Sequence, residues 1–82
     1  MPTVLRFGAF RVMIYLNDHR PPHVHVLGRG CQAVFNLNCP AGLVELRAEK
    51  GLSIARVHAI KRELSANLQT LCEAWEGIHG NA

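Results

Sequence analysis

The stretch HVHVLGRGCQAVFNL, residues 23–37, decides the fold. Two apolar runs flank Gly28-Arg29-Gly30, and a short glycine-bearing loop between such runs reads as a β-hairpin. In a strand, side chains two apart share a face. Cys31, Ala33, Phe35 and Leu37 therefore form one face of the second strand. In the first, Val24 and Val26 join that face while His23 and His25 project together from the other.

Working back toward the start, FRVMIYL (10–16) alternates in the same way. Phe10, Val12, Ile14 and Leu16 lie on one face and Arg11, Met13 and Tyr15 on the other. The opening residues add a short extended piece, with a turn at Gly8. Asn17 to Pro22 is a loop: Asn and Asp start turns, and each proline fixes its own φ. Working forward, Asn38 to Gly42 is a further turn and LVELR (43–47) a last short strand.

Past Lys50-Gly51 the period changes. Ser53 is suited to an N-cap. Ile54, Val57, Ile60, Leu64, Leu68, Leu71, Trp75 and Ile78 then recur at helical spacing. One straight helix of this length would be ~38 Å long, against a radius of gyration near ~12 Å for such a chain. The helix must overhang the sheet or break, and Ser65-Ala66-Asn67 is the weakest place. The expected fold is α+β in a single domain, 1–82. A three- or four-stranded antiparallel sheet (about 9–47) is followed by a long C-terminal helix (about 53–78), for which a straight overhanging form and a bent or broken one both stay open. An overhanging apolar helix would favour a homodimer.

Composition narrows the functional classes. The chain has 82 residues, 49% hydrophobic and 18% charged, which fits a folded domain and not a disordered one. No apolar run is long enough to cross a membrane. Leu5 to Leu16 carries Arg6 and Arg11 and no cleavage pattern, so a cytoplasmic location is expected. Cys31, Cys39 and Cys72 form no CxxC pair, and reduced thiols are expected. Cys72 reads as a small buried apolar residue. A net charge of +3 leans toward an anionic partner, RNA or DNA or an acidic protein.

The chemistry concentrates in DHRPPHVHV, residues 18–26. Three readings stay open. In the first, His23 and His25 bind one divalent cation such as zinc, with His19 or Asp18 as a third ligand. In the second, they work as acid and base at neutral pH, with His19 and Arg20 beside them, in metal-independent RNA cleavage. In the third, the segment is a stiff turn whose imidazoles only make structural hydrogen bonds. Arg29 at the hairpin tip and Arg56, Lys61 and Arg62 on the helix are candidates for contacts to nucleic acid or a partner; a solvated surface is their plainer reading. No cofactor is called for beyond that metal.

The order of these signals resembles a small bacterial family, the domain of unknown function numbered 4160. Its members begin Met-Pro-Thr and carry a D/E-H-x-P-P-H-x-H-V core, matched here by Asp18, His19, Pro21, Pro22, His23, His25 and Val26. VELRAEKGLSIARVHAIKRELSANLQTLCEAW (44–75) fits as well. Val24 stands where the family often has Phe, and Val12, Met13 and Ile14 replace aromatics. The resemblance implies a cytoplasmic protein with a cognate small protein as partner, in a suspected toxin–antitoxin pair. It implies no catalytic or metal-binding residue.

Overall fold

The computed structural model describes residues 3–80. Met1 and Pro2, which open the Met-Pro-Thr start, lie outside them. Five strands form one antiparallel sheet in chain order: β1 (Thr3–Phe7), β2 (Phe10–Met13), β3 (His23–Gly28), β4 (Cys31–Asn36) and β5 (Glu45–Lys50). Two helices follow, α1 (Ile54–Ala66) and α2 (Leu68–His79).

The hairpin at the centre is as read. Val24 opposes Phe35, Val26 opposes Ala33, and Gly28 opposes Cys31 across the Arg29-Gly30 turn. Gly28 has to be glycine: a Cβ there would stand 2.7 Å from the Phe10 ring and 2.9 Å from Cys31 Sγ. Val12, Val24, Val26, Ala33 and Phe35 meet Val57, Ile60, Leu64, Leu71 and Trp75 in one core, so both helices cover the same face of the sheet.

Three expectations about the sheet need correction. The sheet has five strands, not three or four, because the opening extended piece pairs with β2, Leu5 opposite Val12 and Arg6 opposite Arg11, with a register shift between Thr3 and Leu5. The second strand stops at Met13, not Leu16. Asp18 accepts the Tyr15 N–H at 3.0 Å and donates its own N–H to Tyr15 O at 3.1 Å, which closes a turn and leaves Leu16 73% exposed. The last strand is Glu45–Lys50 and not 43–47: it begins two residues late, with Leu43 86% exposed, and runs three residues further because Ala48, Glu49 and Lys50 pair with Val34, Ala33 and Gln32.

The C-terminal segment is two helices, not one. Asn67 leaves the helical conformation (φ −116°, ψ 20°), and its side-chain amide donates to Glu63 O at 2.9 Å. This is the competition between side chain and backbone that keeps Asn out of helix interiors. The radius of gyration is 11.7 Å. Ser53 caps α1 as expected, accepting the Arg56 N–H at 3.2 Å. Ile54 leaves the apolar stripe and is 76% exposed. No helix among the described residues is long and apolar enough to cross a membrane.

The cysteines are the last correction. Cys39 and Cys72 form a disulfide, Cα atoms 5.9 Å apart, and only Cys31 is a free thiol. Spacing in sequence carried no trace of this pairing. It depends on α2 folding back over the turn after β4.

Candidate functional site

The site is assembled where β2 has ended and β3 begins. The 15–18 turn returns Asp18 toward the sheet, and β3 aims His23 and His25 at it. Asp18 Oδ1 lies 3.2 Å from His25 Nε2 and 3.4 Å from His23 Nε2. Each of the three offers a potential ligand atom, and these atoms all lie within 4.8 Å of one another. His23 is buried, and the His25 side chain keeps 23% of its surface in solvent.

Hydrogen bonding fixes one tautomer. His23 Nδ1 lies 2.9 Å from Pro21 O. A carbonyl only accepts, so Nδ1 carries a proton and donates it. In a neutral His23 ring, Nε2 then presents a bare lone pair to the Asp18 carboxylate. That contact is repulsive unless a cation sits between them, either a second ring proton or a metal ion. His25 has no such constraint. It can donate Nε2–H to Asp18, leaving the lone pair on its other ring nitrogen.

Aromatic neighbours hold both rings. The Tyr15 ring centre is 4.5 Å from that of His25, and Trp75 is 5.3 Å from His23. His79 packs on the far end of this stack, 4.1 Å from Trp75. Trp75 and His79 were not legible as parts of the site, since only the tertiary fold carries α2 to it. Tyr15 was legible from its place in the alternating run 10–16, although it lies past the end of β2, and it supplies both a ring and the backbone N–H that Asp18 accepts.

Not every candidate joins the cluster. His19 is exposed and outside the ligand set, because the turn that points Asp18 inward points its neighbour outward. Arg20 donates to Gly80 O at 3.0 Å and so fastens the end of α2. Arg29 is exposed at the hairpin tip; Arg56 and Arg62 are exposed on α1 and Lys61 half-buried there. None of these four is hydrogen-bonded or ion-paired to the cluster among the described residues.

Asp18 is held below its ordinary carboxyl value of 3.8. Burial is the largest single influence and pushes upward, but the Tyr15 N–H, the His25 hydrogen bond and the charges of His25 and His23 together outweigh it. A depressed carboxyl contributes stability that is fully present above its unfolded value and is lost as pH falls through the lower folded value. Thermal melts taken from neutral to strongly acidic pH are expected to show that acid-limb loss. Asp18→Asn should flatten it, and an identical acid limb in the variant would contradict the assignment.

A groove of about 310 Å³ opens beside the cluster on the sheet face away from the helices, with Tyr15 and His25 at one end and Lys50 and Gln32 among its walls. Neither curated proteins nor solved structures match the chain. The family model described as Domain of unknown function (DUF4160) matches residues 9–76, and the chain belongs to that family.

Proposed function

We propose that this protein acts on RNA through His25, oriented by Asp18, as one member of a small two-protein module of the toxin–antitoxin kind. The observation that carries the reading is the pair itself. An ionised carboxylate 3.2 Å from Nε2 orients a partly exposed imidazole at the mouth of a groove. Such a pair leaves the other ring nitrogen free to act as base. His25 would take the proton from a ribose 2′-hydroxyl. The 2′-oxygen then attacks the adjacent phosphorus, the bond to the 5′-oxygen breaks, and that oxygen takes a proton from solvent. The products are a 2′,3′-cyclic phosphate and a 5′-hydroxyl end.

His23 has a different part. Both its nitrogens are engaged, one by Pro21 O and one facing Asp18, so it is a positioning residue behind the carboxylate. Family resemblance supports a cognate small protein as partner and a cytoplasmic setting.

Purified protein is expected to cleave single-stranded RNA without added metal. His25→Ala should lower the rate by roughly 100-fold or more, the scale of a lost general base. No cleavage by the wild-type protein, or equal cleavage by His25→Ala, would leave a non-enzymatic antitoxin-like binding module as the better account.

A second reading is favoured by the His23 tautomer. Ligating histidines commonly donate the other ring N–H to a backbone carbonyl, as His23 does to Pro21. Asp18, His23 and His25 would then hold a divalent cation such as zinc, with open positions for water. One equivalent of zinc should raise the melting temperature of the wild-type protein and not that of His23→Ala. Unchanged melting in both rules this reading out.

A further inference from the structure

The sheet face turned away from the helices carries a row of side chains that runs across all five strands. Pairing registers place Arg6 opposite Arg11, Arg11 opposite Leu27, Leu27 opposite Gln32, and Gln32 opposite Lys50. Four interstrand steps of about 4.8 Å make this row ~19 Å long. The next row, Met13, His25, Val34 and Ala48, is an apolar floor interrupted by one imidazole.

Two arginines directly opposite each other on neighbouring strands destabilise a sheet. Arg6 and Arg11 are both exposed, and among the described residues no carboxylate lies within ion-pair distance of either. Lys50, at the other end of the row, is likewise without an ion-pair partner among those residues. The one acid lining the groove, Glu49, is opposite Ala33 on the helix side of the register and accepts the Leu52 N–H at 3.0 Å. Glu45, opposite Asn36, is also on this face, two rows away. The row itself is cationic at both ends and uncharged between, and it is edged by the flat rings of Tyr15 and His25.

We infer that this face binds single-stranded RNA, its phosphates on Arg6, Arg11 and Lys50 and a base against Tyr15. The inference rests on the RNA-directed reading of His25 and names the surface that would bring substrate there. Charge alone would also suit an acidic peptide. The apolar floor and the aromatic edge favour a strand whose bases stack, since base stacking on aromatic side chains tolerates any sequence.

The test is fluorescence anisotropy with a labelled 2′-O-methyl oligouridylate, which cannot be cleaved through its blocked 2′-oxygen. Wild-type protein should bind, and Arg6→Ala/Arg11→Ala should bind at least ~10-fold more weakly. Its salt dependence should be shallower by about 1.4 in the log–log slope, at ~0.7 per phosphate contact on single strands. Arg6→Lys/Arg11→Lys should recover most of the affinity. Arg56→Ala/Arg62→Ala, on α1, should leave it unchanged. Removing the like-charge pair should not lower the melting temperature, and Lys50→Ala offers an independent loss should the double variant fold poorly.

The inference is overturned if the wild-type protein does not bind, if the helix variant loses as much as the sheet variant, or if polyglutamate competes as well as RNA. Binding without cleavage of natural RNA would sink the role of His25 and leave the surface standing. Cleavage indifferent to Arg6 and Arg11 would do the reverse.

Discussion

Trp75→Ala should cost this protein about 3–5 kcal/mol, the range for truncating a large buried aromatic. Trp75 is 1% exposed and is the largest of the fully buried side chains. A chain of this length has a total stability of roughly 4–12 kcal/mol at the usual 0.05–0.15 per residue. The variant should therefore sit close to unfolding at room temperature. The loss also reaches the site, because Trp75 is the surface on which His23 rests. Trp75→Phe makes the contrast. Trp75 Nε1 is buried and has no hydrogen-bond partner, so the indole N–H contributes no bond that phenylalanine would forfeit. Urea titrations of the three proteins decide the matter. A deficit under ~1 kcal/mol for the alanine variant would mean that the core does not depend on this ring as described.

The second large effect is reduction of Cys39–Cys72. The bridge spans 33 residues, from the turn after β4 to the second helix. Closing a loop of that size in the unfolded chain is worth about 3–4 kcal/mol in the chain-entropy account. For a domain of this size that corresponds to a melting shift on the order of 12–32 °C. Melts with and without a dithiol reductant should differ by this amount. Cys39→Ser/Cys72→Ser should melt like the reduced protein and ignore the reductant. Equal melting in all states would show that the bridge adds nothing. In a reducing cytoplasm the protein would work without this support unless a partner replaced it.

The two predictions touch different parts of what sequence could reveal. Period-two runs at 23–37 and 10–16 and helical spacing after Ser53 were enough for an α+β fold, because burying one face imposes those periods on any such chain. Strand ends were less legible. Met13 and Ile14 look alike in pattern, and only the Asp18–Tyr15 turn separates the strand from the loop. The place of the helix break was legible, since the Asn67 side chain competes for backbone acceptors, but whether the helix breaks at all was not.

The site divides along the same line. His23 and His25 share a direction because they are two apart on a strand, and Asp18 reaches them because the turn is local. Trp75, His79 and the Cys39–Cys72 bridge depend on α2 packing against distant residues. Their sequence separations leave no periodic signal to read. Arg6 and Arg11 were visible as charges, but their confrontation became visible only with the register of β1 on β2.

Each strand of the sheet pairs with the strand that follows it in the chain, and this has a bearing on assembly over time. Each pairing closes a short loop, with a correspondingly small entropy cost before its contacts form. Topologies of this kind fold faster than sheets built from distant strands. The β3–β4 hairpin, closed by two residues, is the natural first ladder, and the strands on either side can be added outward from it. The residues that carry His23 and His25 would thus be among the earliest to take their final shape, well before α2 arrives to cover them.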